Sequence, residues 1–227
     1  MNLEEENSRN PHIKEALEKA LPSELSPTTE VEIRLGLIME KSTQSRLSIK
    51  TMHPCVIERA DTLWFDASVD EAHFKQMQEH FLREFKTRET VLMQDTLIKG
   101  MRRSEIKSVN GQSVTREPTI VKKKKLFSVD IFCPENKYDI RVGVSEEIVQ
   151  KDTLGVQAMC STREKNRSTY SGSSFVIDAT EVRTGKNGEH LKTTFEVEIE
   201  AKSSEYRRDC FVNIVKNTIS TVHEILK

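Results

Sequence analysis

The segment Phe195-Glu196-Val197-Glu198-Ile199-Glu200-Ala201 alternates acidic and apolar residues at period 2. In a β-strand, residues i, i+2 and i+4 share one face. Glu196, Glu198 and Glu200 would then stand in a row, roughly 6.5–7 Å apart along the strand. Like charges at that spacing repel by about 2–2.5 kcal/mol per neighbouring pair at an effective dielectric of about 20. Such a row needs water, cations or basic side chains opposite it.

A single row of this kind is satisfied by water on a half-exposed antiparallel strand. Here the pattern recurs. Glu30-Val31-Glu32-Ile33-Arg34 places two acids and a base on one face, and Arg163-Glu164-Lys165-Asn166-Arg167 places three bases on one face. Arg141, Gly143, Ser145 and Glu147 form a further alternating set. Acid rows and base rows on separate strands can neutralise each other across the lumen of a barrel. The apolar faces then point outward and need cover from helices. The expectation is an inside-out barrel with a charged interior.

The chain has 227 residues, a length that suits a single large β domain. Charged residues make up 31% and hydrophobic ones 36%, a polar balance that a charged interior would help to explain. The formal net charge of −1 gives no bulk attraction to nucleic acid, so anion binding must come from local clusters. Cys55, Cys133, Cys160 and Cys210 make no CxxC pair and carry no zinc-type spacing, and the six histidines make no HExxH motif. The acidic start and the lack of an 18-residue apolar run predict neither a secretory signal nor a membrane span. A soluble, reduced, intracellular protein is the expectation.

Residues 1–27 read as a flexible segment with a short helix over Pro11–Leu21, and 28–227 as one domain. Glu30–Met39 reads as a strand. Asp66–Arg88 reads as a helix, with Ser68 and Glu71 as a capping box and Phe74, Met77, Phe81 and Phe85 on its apolar side. Leu97–Ala201 reads as all β, with turns at Asn110-Gly111, Pro134–Lys137 and Asn187-Gly188. Residues 203–226 return to helix, with a stripe of Phe211, Ile214, Val215, Thr218, Val222 and Ile225.

Hard divalent cations take oxygen ligands, and a few carboxylates with water and substrate phosphate suffice for Mg²⁺ or Mn²⁺. The acids of Glu30–Glu32 and Glu196–Glu200 could make such a site if their strands are neighbours. The comb Arg163, Lys165, Arg167 suits phosphate, which Arg binds bidentately and Lys as a point charge. Lys122–Lys125 reads either as a basic surface patch or as a strand with alternate lysines inward, and Arg102-Arg103 likewise aims one arginine inward.

Taken in order, these motifs resemble the metal-dependent mRNA 5′-triphosphatases of the triphosphate-tunnel type. The resemblance begins at Glu30-Val31-Glu32-Ile33-Arg34-Leu35-Gly36 and continues with Arg102-Arg103-Ser104, Lys123, Pro134 to Asp139 and Glu147. It closes with Arg163-Glu164-Lys165-Asn166-Arg167-Ser168-Thr169-Tyr170, Ile177 to Val182 and the terminal Glu196–Glu200. Leu35 stands where that family usually has Phe, and Gly143 where Ser is common; neither change removes a charge.

The resemblance implies a mainly β protein with flanking helices, built as a closed eight-stranded antiparallel tunnel. It implies removal of the γ-phosphate of 5′-triphosphate RNA, the first step of mRNA capping, and hydrolysis of free NTPs. Glu30, Glu32 and Glu200 would ligate Mg²⁺ or Mn²⁺. Arg102, Lys123, Lys165 and Arg167 would bind phosphate oxygens, Glu147 would orient water, and Glu196 and Glu198 would hold the bases and metal-bound waters. Arg163, Arg141 and Asp178 would support substrate binding. A guanylyltransferase would be the functional partner and the nucleus the location, and the short N-terminus suggests a free-standing enzyme. Thiamine or inorganic triphosphatases of the same fold usually begin ExExK, where this chain has Arg34. A non-catalytic phosphate- or RNA-binding tunnel and a plain β scaffold are the further alternatives.

Overall fold

A computed structural model describes residues 11–85, 88–98, 100–151, 161–186 and 189–227. The acidic and basic rows lie on strands that close on themselves. The barrel is built from β1 (Thr29–Glu40), β4 (Arg88–Ile98), β5 (Met101–Val109), β7 (Thr119–Phe132), β8 (Asp139–Gln150), β9 (Ser161–Ser171), β10 (Phe175–Lys186) and β11 (Glu189–Ala201). Around it the order is β1-β8-β7-β5-β4-β9-β10-β11 and back to β1, with every pairing antiparallel. Closure leaves no long free edge among these strands. Three short strands hang on its rim: β2 (Cys55–Ile57) on β7, β3 (Leu63–Asp66) on β1, and β6 (Gln112–Ser113) on β5.

The hydrophobic core lies outside the barrel. Val31, Ile33 and Leu35 alternate with Glu30, Glu32 and Arg34 along β1, and these three apolar side chains are buried. Helices α1 (Pro11–Ala20), α2 (Glu71–Glu84) and α3 (Arg208–Ile225) provide the cover. Ile13 and Leu17 from α1, Phe74, Met77 and Phe81 from α2, and Phe211, Val212, Val215 and Val222 from α3 join the outward faces of the strands in one cluster. The Phe74 ring lies 5.0 Å from Phe195, and Phe81 lies 5.5 Å from Tyr170. Apolar burial of this kind contributes about 25 cal/mol per Å². It offsets the cost of enclosing so many charges. Among the described residues, no helix is long and apolar enough to cross a membrane.

Two local expectations change. The capping box at Ser68 is not formed. Asp70 is the N-cap of α2, its carboxylate accepting from the backbone N–H of Ala72 and His73. Ser68 instead donates to Asp66, the last residue of β3, so strand pairing delays the helix. At its far end, α2 stops at Glu84 and Arg88 already belongs to β4. The Asn110-Gly111 turn forms as expected, with φ of 49° and 79° joining β5 to β6. Asn187-Gly188, Cys160 and residues 1–10 lie outside the described residues.

Gly36 explains why the β1 motif ends in glycine. A Cβ there would sit 2.1 Å from the carbonyl oxygen of Asp66, so only glycine lets β3 cross so close to β1.

The barrel end beyond it is pinned by Asp139, which is fully buried. Its carboxylate accepts from the backbone N–H of Ile38 and Cys133 at 3.0 Å each, and from Arg46 Nη2 at 2.6 Å. Asp139→Ala should destabilise the fold by about 3–5 kcal/mol, because it leaves two buried donors and a guanidinium uncompensated. Urea denaturation of the purified variant checks this.

Candidate active site

Closing the barrel brings the acid and base rows face to face. The tunnel encloses a cavity of about 190 Å³ lined by Glu30, Arg34, Met93, Asp95, Arg102, Ser104, Lys123, Glu147, Arg163, Lys165, Arg167, Glu196, Glu198 and Glu200. The side chains come from β1, β4, β5, β7, β8, β9 and β11, each supplying alternate residues. Glu32 lines the adjoining cavity of about 290 Å³, together with Arg141, Gly143 and Ser145. Arg141 lines this adjoining cavity and not the central one. It is held by Asp130 at 2.6 Å and stacks over the Phe65 ring at 4.5 Å.

The rows neutralise each other as their alternation requires. Arg163 meets Glu196 at 2.6 Å, and Arg34 meets Glu198 at 3.1 Å and Glu32 at 2.9 Å. Arg167 meets Asp178 at 2.8 Å, and Arg102 meets Glu147 at 3.0 Å. Lys123 reaches Glu30, and lies 3.5 Å from Glu32 and 3.9 Å from Glu147. Lys165 is almost fully buried and pairs with Asp95 at 2.5 Å. Burial pushes the Lys165 ammonium down from its ordinary value, with Asp95 opposing. Burial would raise the Asp95 carboxyl, but Lys165 and the Ser104 hydroxyl outweigh it and hold it low.

Not every donor is used. The Nε–H groups of Arg34, Arg102 and Arg167 are buried without a hydrogen-bond partner among the described residues. An orphaned buried donor costs about 1–3 kcal/mol. The same three arginines line one cavity with Lys123 and Lys165, a basic wall suited to a multivalent oxyanion.

On the acidic side, Glu32 and Glu200 are direct partners across β1 and β11, and Ser145 donates to Glu30 at 2.9 Å. The Glu200 carboxyl is pushed up to about 7 by burial first, then by the charges of Glu30 and Asp178. Burial also raises Glu32. This is an excess of negative charge that a divalent cation would relieve, so the donor set fits a hard metal. Among the described residues, no three His, Cys, Asp or Glu side chains are gathered into a ready metal site. The ammonium of Lys123 instead draws Glu30 and Glu32 to itself. Gly143 makes room for this group: a Cβ there would stand 3.3 Å from Glu32 Oε1.

The raised Glu200 has a signed consequence for stability. Its carboxyl titrates near 7 in the folded protein, against an ordinary 4.5. Between those values the folded state holds a proton that the unfolded state has lost, so folding is weakened as pH rises through the window. Glu200→Gln removes this term. The Tm of the metal-free variant, relative to the metal-free parent, should therefore rise between about pH 4.5 and about pH 7. Thermal unfolding of the pair across pH tests it; a constant difference would contradict the burial of Glu200.

Sequence reasoning missed Asp95 as a site residue, and it did not give Arg34 a role beyond its place on the β1 face. Asp95 lies on β4, between the end of the expected helix at Arg88 and the start of the expected all-β region at Leu97. Its only signal was a lone acid two positions from Met93.

The profile of one protein family, mRNA capping enzyme, beta chain, matches residues 13–226. The chain belongs to this family. Among curated proteins, it is similar to the mRNA-capping enzyme subunit beta of Schizosaccharomyces pombe (strain 972 / ATCC 24843), with 24% identity over 189 residues, 76% of this chain and 61% of the relative. It matches the subunit of the same name from Yarrowia lipolytica (strain CLIB 122 / E 150) with 24% identity over 77% of this chain and 46% of that protein. The chain thus spans less than two thirds of the length of either relative. Its fold is that of the S. pombe Pct1 RNA triphosphatase structure, with a TM-score of 0.70, 20% identity, and coverage of 88% of this chain and 85% of that one.

Proposed function

We propose that this member of the capping-enzyme beta-chain family is a metal-dependent RNA 5′-triphosphatase. It removes the γ-phosphate of 5′-triphosphate RNA and leaves a 5′-diphosphate end. The observation that carries this reading is a closed tunnel whose central cavity is lined by Arg34, Arg102, Lys123, Lys165 and Arg167 together with Glu30 and Glu200. Triphosphate oxygens suit that basic wall, and family membership favours RNA over thiamine triphosphate or inorganic triphosphate as the carrier.

Water oxygen bonds to the γ-phosphorus as the bond from that phosphorus to the β–γ bridging oxygen breaks. The bridging oxygen stays with the RNA. Arg102, Lys123, Lys165 and Arg167 hold the phosphate oxygens and balance charge that builds on them, from positions fixed by the walls. Glu147 orients the water; Arg102, at 3.0 Å, fixes its carboxylate. Glu196 and Glu198 hold Arg163 and Arg34 in place, while Asp178 does the same for Arg167 with help from the Thr169 hydroxyl at 2.6 Å. Arg141 supports the tunnel wall beyond Arg34. Glu30, Glu32 and Glu200 would hold Mg²⁺ or Mn²⁺, which would supply Lewis-acid polarisation at the γ-phosphate. Free NTPs are further substrates on this reading, a guanylyltransferase is the functional partner, and the nucleus is the location.

Triphosphate RNA labelled in the γ-phosphate, incubated with purified protein, tests the proposal. Phosphate release that requires Mg²⁺ or Mn²⁺ is the expected result; no release with either cation would overturn it.

The tetralysine run gives a prediction by face. Lys122 and Lys124 are exposed, while Lys123 points into the tunnel. Lys123→Ala should lower kcat by about a hundredfold, the scale for loss of one preorganised donor, with Lys122→Ala and Lys124→Ala nearly unchanged. Steady-state phosphate release distinguishes this from equal small losses at all three positions.

A further inference from the structure

The two ends of the tunnel differ in charge. Among the described residues, the cavity at the end formed by the start of β1 and the end of β11 is lined by Glu30, Glu147 and Glu200 against one base, Lys202. The cavity at the other end, about 290 Å³, is lined among the described residues by Arg34, Lys123, Lys125 and Arg141 against one acid, Glu32, with Asp130 outside the lining paired to Arg141. That second end also carries aromatic surface. Phe65 lies flat under the Arg141 guanidinium at 4.5 Å, and Phe127 is 45% exposed beside it. Phe127 is presented by an irregularity in the β7–β8 register between Lys125 and Phe127.

From this asymmetry we infer that RNA enters with its triphosphate leading through the basic, aromatic end, with its 5′ nucleoside against Phe127 and Phe65 and its first internucleotide phosphate near Lys125. The inference rests on the RNA triphosphatase reading and adds the direction of the substrate and the residues that select RNA over a bare polyphosphate. A polyanionic chain is drawn to the cationic mouth and repelled by the carboxylate one. Single-stranded nucleic acid is held where a basic groove meets aromatic faces, and stacking does not depend on which base is present. The field at this mouth has a local signature: the Lys125 ammonium is pushed down to about 8, by burial first and then by Arg141 and Arg59. An anion seated there removes that repulsion.

Steady-state kinetics on two substrates test this. One is a short RNA with a 5′-triphosphate; the other is inorganic tripolyphosphate, which has the reacting anhydride and no nucleoside. Lys125→Ala and Phe127→Ala should each raise KM for the RNA by about tenfold, with little change in its kcat and little change in either constant for tripolyphosphate. Turnover of tripolyphosphate also reports that each variant is folded. Lys202→Ala, at the opposite mouth, should leave the RNA KM within about twofold of the parent. A rise in RNA KM at Lys202→Ala with none at Lys125→Ala or Phe127→Ala would overturn the direction. Equal losses on both substrates at Lys125→Ala and Phe127→Ala would overturn the nucleoside contact. If the unaltered protein cleaves tripolyphosphate but not RNA, the RNA triphosphatase reading fails and this inference falls with it. If it cleaves RNA and the mouth variants do not discriminate, only this inference fails.

Discussion

Glu32→Gln and Glu200→Gln should each reduce phosphate release from triphosphate RNA by more than about a hundredfold, although Gln preserves the size and reach of the side chain. Losing a hydrogen bond that merely supports a metal ligand costs roughly 10–100-fold. Removing a charged oxygen from a hard cation costs more, because a neutral amide replaces it poorly. The two positions are neighbours across β1 and β11, though they are far apart in sequence. Both variants should therefore also bind Mn²⁺ more weakly in calorimetry, which separates a metal role from a purely catalytic one. The folded state should not suffer, since both carboxyls are pushed up by burial and neither prefers to be charged there. Near-normal turnover in both variants would remove the metal assignment from this pair. A loss at one alone would confine the cation to one strand.

Arg167→Ala and Lys165→Ala should each lower kcat by about a hundredfold or more, with a smaller change in KM. A base that only attracts substrate raises KM, whereas one aimed at charge that develops in the reaction lowers kcat. Arg167 is held by Asp178 at 2.8 Å and keeps a buried Nε–H without a partner among the described residues. Lys is a point charge and cannot reproduce a fork of donors, so Arg167→Lys should recover little. Lys165→Ala strands the buried Asp95, so its fold is checked by circular dichroism before kinetics are compared. Glu164 and Asn166 lie between these residues on the exposed outer face of β9. Glu164→Ala and Asn166→Ala should change the rates by less than about twofold, as surface substitutions away from special features usually do. Losses at these controls equal to those at the bases would mean that β9 does not present alternate residues to a tunnel.

The faces of β1 and β11 were legible in the sequence because charged and apolar residues alternate in them, and that of β9 because its bases recur at every second position. An inside-out barrel sharpens this signal, since lumen and core demand opposite chemistry. β4 was not legible. Val91 and Met93 face inward with Asp95, while Leu92 lies on the outer face and is exposed, so apolar residues fall on both sides and the period is blurred. Helical spacing in Phe74, Met77 and Phe81 was real, but Phe85 caps the helix in extended backbone and the start depended on β1–β3 pairing, which no local pattern reveals.

For the site, the sequence said which charges share a face but not which partners they meet. The pairs Arg34–Glu198 and Lys165–Asp95 join residues brought together only by the order of strands around the barrel. The same order separates Arg141 from the central bases, although its alternation with Gly143, Ser145 and Glu147 had grouped it with them. Charge pattern is local; register around a closed sheet is not.

On the proposed function, this tunnel takes only the terminal phosphate from a triphosphate-ended RNA. The most direct measurement uses two preparations of one short RNA, labelled at the γ- or the β-phosphate, incubated with the protein and Mg²⁺ or Mn²⁺ and resolved into free phosphate, pyrophosphate and RNA. The predicted result is release of the γ-label as free phosphate, with the β-label retained on the RNA as a diphosphate end. Release of the β-label, appearance of pyrophosphate, or an RNA that keeps its triphosphate under both cations would contradict it.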